Sequence, residues 1–297
     1  MAWALLPRLT PASNIVSAAA SFPSTVYPFG RVLRAAGGEL RLAPHDARFY
    51  TAPEDLLGRI DRNTRAVVLS HVEYASGQRW DLARVAEAAR GVGALLILDA
   101  TQSMGMYPLF AAESGAHVIV SSGYKWLLGN YGAAVSYVDP DLCGALEPGI
   151  VGFRSVEDQW DLDAARSSLS ADASRFEPST MHFGAVAGLA AAIEHINAIG
   201  IEEVWRHDMA LADRVVDGAR TLGLDVLELG GDERSAIVSL GLPPRSRLTA
   251  AAAVERLQSE HSILITSRGG RLRVSAHIPN RPADVDALVA ALGELLR

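Results

Sequence analysis

The 297-residue chain has a single cysteine, Cys143, so no disulfide can form within it. That suits a reducing compartment such as the cytoplasm and leaves stability to packing. Basic charge is scarce: 27 Lys and Arg stand against 34 Asp and Glu, giving a net charge of −7. No basic stripe offsets this, so nucleic acid and anionic membrane surfaces are not expected partners. No apolar run reaches the ~18 residues that a membrane helix requires. The opening MAWALLPRLTP is broken at Pro7 and does not read as a secretory signal. GxxxxGK[ST], HExxH, CxxC and GxSxG are all missing, which removes the usual P-loop, zincin, thiol-redox and hydrolase readings. The eight histidines are scattered without metal-ligand spacing, so no metal site is expected. GVGALL (91–96) has two glycines but feeds a strand, so it is not a dinucleotide fingerprint. There are no internal repeats and no low-complexity tract.

What the chain does have is apolar residues, 49% of the total, enough for a sizeable core. They fall in short runs bounded by turn residues or charges: NIVSAA (14–19), ELRLAP (39–44), AVVLSHV (66–72), ALLILDA (94–100), HVIVSS (117–122) and GAAVSYV (132–138). Such runs read as buried strands. Helical patterns lie between some of them. PEDLLGRI (53–60) starts with Pro and two acids, and DLARVAEAARGVG (81–93) has Asp81 at an N-cap. The alternation predicts an α/β fold with a doubly wound, mostly parallel sheet. The order changes after about residue 180, where a small-residue helix (184–200), a long amphipathic helix (201–223) and then mixed strands and helices follow. This divides the chain into a large domain, 1–204, and a smaller C-terminal α+β domain, 205–297.

Two apolar runs end in polar residues that do not belong in a core. LLILDATQSMG carries Asp99 and Gln102; VIVSSGYKWLLG carries Ser122, Tyr124 and Lys125. Both endings fall at strand carboxyl ends, where α/β proteins bind ligands. Asp99 and Lys125 then have two readings. One is a structural ion pair, common and weak at surfaces. The other is an electron-sink cofactor, whose aldehyde a lysine amine captures and whose ring nitrogen a carboxylate keeps protonated. His71, next to Ser70 on a strand, faces the other way and reads as a core histidine.

The blocks SHVEYASGQRWDL, GALLILDATQSMG, HVIVSSGYKWLLGNYG, RFEPSTMHFGAVAGL and RLRVSAHIPN resemble, in that order, the class V branch of the fold-type-I aminotransferases. These enzymes use pyridoxal 5′-phosphate. The resemblance implies that Lys125 forms the Schiff base, Asp99 pairs with the pyridinium nitrogen and Gln102 donates to the ring's phenolate oxygen. It places Ser122 and Tyr124 at the phosphate, although many members have His at the second position. It makes Phe22, in ASFPSTVYPF (20–29), the ring-stacking residue, a role an apolar face can fill. It sends Thr180 to the phosphate of a partner subunit, implying a homodimer, although Ser179 stands where a glycine is usual. It makes Arg273 the fork for a substrate α-carboxylate. The implied substrate is a small-molecule amino acid.

Two departures from the pattern bear on function. Cysteine desulfurases carry a cysteine just before the carboxylate-binding arginine, and HSILITSRGGRLRVS (261–275) has none, which argues against a persulfide route. The FPS block and SAHIPN look more like the isopenicillin-epimerase, kynureninase and selenocysteine-lyase-like members. Family members also carry roughly eighty further N-terminal residues, including a turn whose helix N-terminus cradles the phosphate. Three readings follow: a cofactor-dependent aminotransferase, lyase or epimerase; a shortened, non-catalytic dimerising or regulatory paralogue; or an unrelated α/β binding protein. A short chain would also be expected to leave the strand at 14–19 uncovered.

Overall fold

A computed structural model describes residues 1–297. The first half alternates strands and helices: β1 (Asn14–Ala18), α1 (Pro23–Ala36), β2 (Glu39–Ala43), α2 (Pro53–Leu57), β3 (Thr64–Ser70), α3 (Leu82–Gly91) and β4 (Leu95–Asp99). Then come α4 (Ala111–Ser114), β5 (Val118–Ser122), β6 (Ala134–Val138) and α5 (Pro140–Cys143). The six strands form one sheet in the order β2-β1-β3-β4-β5-β6. All pairs are parallel except β5–β6, so the protein is α/β with a mostly parallel sheet. Strands β1 and β3 are buried along nearly their whole length, because helices cover both faces. Asp81 caps α3 as its sequence suggests, accepting from the amides of Ala83 and Arg84.

Helix α1 was not legible beforehand. Pro23 sits at its first turn, where a missing N–H costs nothing, but Pro28 inside it masks the helical pattern. The expectation of an uncovered strand at 14–19 is wrong. β1 is paired on both sides, with β2 and β3, and the edge on this side is β2. That edge carries charge, Glu39 and Arg41, with Arg41 paired to Asp61 at 2.7 Å. Charged edges discourage strand addition. The 3-10 helix Ala2–Arg8 adds Ala2, Ala4 and Leu5 to the core around Ile15, Phe29 and Leu33.

The second half begins with α6 (Phe183–Ile199) and α7 (Ile201–Thr221), which bend by 82° about Gly200 (φ 92°). No single helix is long and apolar enough to cross a membrane. There follow β7 (Asp225–Val226), β8 (Ile237–Gly241), α8 (Ala250–His261), β9 (Thr266–Arg268), β10 (Arg271–Ser275) and α9 (Pro282–Leu295). The four strands make an antiparallel sheet, β7-β8-β10-β9. It shares a core with Leu211, Ala212, Val215 and Ala219 of α7 and with α8 and α9. The division drawn from the sequence at 204/205 falls inside α7.

The segment after β3 joins the two sheets. Ser235 Oγ donates to the Gly77 carbonyl at 2.6 Å, and the Arg79 amide donates to the Glu233 carbonyl at 2.7 Å. Gly77, at φ 77°, lies so close to Ile237 that a Cβ would come within 2.2 Å of its carbonyl oxygen. The same segment carries Glu73, fully buried. Its Oε1 accepts from Ser21 Oγ and Trp80 Nε1, both at 2.9 Å, while Oε2 has no partner. Burial pushes the Glu73 carboxyl up to about 8. The folded protein therefore holds a proton here that the unfolded chain releases above its ordinary pKa, so stability falls as pH rises from about 4.5 to 8. Glu73→Gln keeps the acceptor and removes the ionisation. We expect it to be within ~1 kcal/mol of the parent near pH 5 and more stable by ~2 kcal/mol or more near pH 8.5. Urea melts at the two pH values test this; a stability difference independent of pH would refute the buried neutral carboxyl.

Candidate active site

The carboxyl ends of β1, β3, β4 and β5 open on one side of the sheet. β2 and β3 lie on opposite sides of β1, so the strand order reverses here and a crevice opens beyond the strand ends. A cavity of about 200 Å³ fills this position. It is lined by Phe22 and Ser24 after β1, Ser70 and Tyr74 from the end of β3, and Asp99, Thr101 and Gln102 from the end of β4. Ser122, Tyr124 and Lys125 from the end of β5 complete it. Six of the eight residues singled out in the sequence are thus brought together. His71, next to Ser70, lines a different cleft, as strand alternation requires. It is buried against Ser103 Oγ (3.0 Å), and burial lowers its pKa to about 3, so it is a neutral core histidine.

Asp99 ends the apolar run of β4. Its Oδ1 accepts from the Thr101 amide at 2.9 Å, an Asx turn that stops the strand and fixes the carboxylate. Its Oδ2 accepts from Thr25 Oγ1 at 2.5 Å. Each oxygen keeps a free lone pair. Thr25, in the first turn of α1, was not foreseen, though it stands three residues after Phe22 in the same block. Thr101 Oγ1 in turn accepts from the Ser122 amide at 3.1 Å, tying the β4 and β5 ends together.

Lys125 lies in a loop that closes on itself. The Gly129 amide donates to the Gly123 carbonyl at 2.8 Å, and Leu128 takes a left-handed φ of 56°. Gly123 and Gly129 both pack on Leu189 of α6, so closely that a Cβ at either would meet it within 3 Å. Lys125 forms no salt bridge with Asp99, whose oxygens are held by the two threonines. The structural ion pair is therefore not what is built. The Lys125 Nζ lies 5.6 Å from the centre of the Phe22 ring. Burial lowers the lysine's pKa, opposed by Asp99 and helped by Arg273 and Arg268.

Gln102 is buried, and its Oε1 accepts from Trp126 Nε1 at 2.9 Å. Indole N–H can only donate, so the amide orientation is determined and the Gln102 nitrogen remains for the cavity. Phe22 is 40% exposed and meets Tyr74 edge-on at 5.3 Å, which is not the environment of a plain core residue. Tyr124 stacks on Tyr131 at 4.5 Å. Arg273, on β10, does not line the cavity itself. It reaches Tyr74, whose carbonyl accepts from Nη1 at 2.8 Å, and its Nε is buried without a partner. Burial, with Arg268 beside it, lowers Arg273 to about 10. Thr180 is exposed and is not brought to the cavity within the chain. The one cysteine, Cys143, is buried in the core under the first residues, with Leu5 and Leu146.

The fold agrees with comparisons to known proteins. A probable cysteine desulfurase of Pyrococcus abyssi is 25% identical, over 96% of this chain and 72% of that protein. Two solved structures share the fold. The apo cysteine desulfurase of Thermococcus onnurineus NA1 superposes with a TM-score of 0.89 at 24% identity, covering 99% of this chain and 75% of that one. The cystine C-S lyase C-DES, solved with its product cysteine persulfide, gives a TM-score of 0.86 at 23% identity, covering 95% and 75%. The family model for aminotransferase class-V matches residues 1–288. The chain belongs to the aminotransferase class-V family.

Proposed function

We propose that the protein is a pyridoxal 5′-phosphate enzyme of class V that acts on a small-molecule amino acid. The observation that carries this reading is the set of groups left without protein partners around one cavity. They are an unpaired lysine amine, a carboxylate with spare lone pairs, an amide nitrogen and a half-exposed phenyl ring. Each suits one part of the cofactor, so the residues present fit it.

When bound, pyridoxal 5′-phosphate supplies an aldehyde carbon and an electron-withdrawing pyridine ring. Lys125 would provide the amine for that carbon, and burial, by lowering its pKa, raises its nucleophilic fraction. Asp99 would hold the proton on the ring nitrogen, and Thr25 and Thr101 fix the carboxylate for that task. Phe22 gives a flat apolar wall, and Gln102 offers its amide N–H. Ser122 and Tyr124 are assigned to the phosphate. Arg273, beside Tyr74, binds the substrate carboxylate; its unpartnered buried Nε gives the guanidinium a reason to seek an anion.

The relatives named as cysteine desulfurases do not fix the reaction. A thiol that takes up sulfur must be exposed and thiolate-forming. Cys143 is buried away from the cavity, and burial raises its pKa. We therefore favour an aminotransferase, lyase or epimerase that needs no cysteine. We also propose a homodimer, with Thr180 serving the partner's site; this is supported by exposed Tyr131, Phe183, Ile150 and Trp160.

Protein loaded with pyridoxal 5′-phosphate is expected to be yellow. Borohydride should fix the cofactor to the peptide bearing Lys125, and Lys125→Ala should retain no label. Label on another lysine would overturn the assignment.

Asp99→Asn should keep much of the cofactor but lose activity at least ~100-fold, about 2.7 kcal/mol in the barrier. A loss below about threefold, or under ~1 kcal/mol, would remove Asp99 from the chemistry. Arg273→Lys keeps the charge without the fork. It is expected to weaken amino-acid binding and leave the visible spectrum of the loaded enzyme unchanged; a changed spectrum without substrate would place Arg273 in the cofactor site instead.

A further inference from the structure

Behind the cavity runs a chain of buried polar contacts that the functional reading has not used. Asp208, on α7, is completely buried, and its Oδ2 lies 2.6 Å from His277 Nδ1. His277, two residues beyond β10, reaches the Trp126 carbonyl with Nε2 at 2.9 Å. A carbonyl only accepts, so Nε2 carries a hydrogen and donates it. The second bond runs between Nδ1 and Oδ2. Trp126 follows Lys125 directly, and its indole N–H holds the Gln102 oxygen at 2.9 Å. The indole also meets the His277 ring edge-on at 4.9 Å.

A second contact grips the same carbonyl. Gly105, at φ 96°, lies so near that a Cβ would come within 2.3 Å of the Trp126 oxygen. The carbonyl of Trp126, the residue after Lys125, is therefore held by a close-packed glycine and by an imidazole, and the Trp126 side chain fixes Gln102. The imidazole comes from the same segment as Arg273, four residues earlier on β10. One stretch of the second sheet thus carries both the proposed substrate fork and the clasp on the lysine loop.

We propose that His277, oriented by Asp208, is a positioning residue: it clasps the Trp126–Leu127 peptide, one residue beyond Lys125, and, through the Trp126 indole, aims the Gln102 amide nitrogen into the cavity. The proposal deepens the pyridoxal phosphate reading and rests on it only for the role of Gln102. The clasp itself is a property of the protein without cofactor. It makes the seating of the second sheet a condition for the placing of Lys125. A buried imidazole bonded on both sides is well suited to this, because its ring cannot turn without breaking both bonds.

Two measurements test it on the full chain. The first is amide hydrogen exchange on cofactor-free protein, read at Gly123, Leu128 and Gly129, with β8 and α9 as internal references. His277→Ala is expected to speed exchange in the loop tenfold or more and leave the references unchanged. His277→Gln, which restores an N–H donor, and Asp208→Asn, which still bonds Nδ1, should stay within about threefold. Loop exchange within twofold of the parent in His277→Ala, or no rescue by His277→Gln, would overturn the clasp. The second uses Trp126→Phe, which keeps the packing but removes the donor to Gln102, and so remains informative if His277→Ala does not fold. With pyridoxal 5′-phosphate bound, the pH midpoint of the visible band should rise by about one unit, since a misaimed Gln102 no longer stabilises the anionic ring oxygen. An unmoved midpoint would overturn the aiming of Gln102. Should the parent show no visible band while His277→Ala still frees the loop, the cofactor reading fails and the clasp stands.

Discussion

The site depends on one constraint, the parallel register of β3, β4 and β5. In that register Asp99 stands opposite Ser70 on one side and Val120 on the other. β3 and β4 therefore end at the same level and β5 runs two residues further, and each releases its next residues into the same space. A parallel sheet is covered on both faces, so polar side chains at the strand ends have only the rim in which to emerge. The threonines tighten this arrangement. Thr25 ties α1 to Asp99, and Thr101 ties the β4 end to the β5 end. Asp99 is thereby a fixed carboxylate with unused acceptor capacity, and Lys125 is left without an ion-pair partner.

The second sheet completes the rim. Its approach includes three close backbone points: Gly77 against Ile237, Tyr74 under Arg273, and Trp126 under His277. Glycine serves where the backbones come closest, because any Cβ would occupy the space of the facing carbonyl. Buried polar groups along this junction come in bonded sets, Glu73 with Ser21 and Trp80 and His277 with Asp208. Each set fixes a loop that bears cavity residues. The energy of such sets depends on full satisfaction, and the single bare oxygens on Glu73 and Asp208 mark where they are least settled.

Membership of the family does not carry the reaction with it. Relatives share the fold, but the groups around the substrate decide which bond breaks. Here the lone thiol is packed under the first residues of the chain, far from a role in sulfur transfer that needs an exposed thiolate. The chemistry proposed is that of a lysine, a carboxylate and an arginine acting on a small amino acid.

The sequence by itself determined the strands, the helix capped by Asp81 and the pairing of Asp99 with Lys125 as neighbours at strand ends. These are local consequences of apolar runs, turn residues and caps, and each is written within a few consecutive residues. It also carried Gln102 and Phe22, because their blocks are continuous. What it did not contain were contacts between distant segments. Helix α1 was hidden by Pro28, which only a buried face could override. The protection of β1 by β2, the Thr25–Asp99 bond and the absence of an Asp99–Lys125 ion pair became visible only in the fold. The same holds for Glu73 and for the Asp208–His277–Trp126–Gln102 chain, whose members lie up to 175 positions apart in the numbering, from Gln102 to His277. Periodicity reports which face of an element is apolar. It is silent on which polar atom of one element will meet which atom of another, and that is set by packing alone.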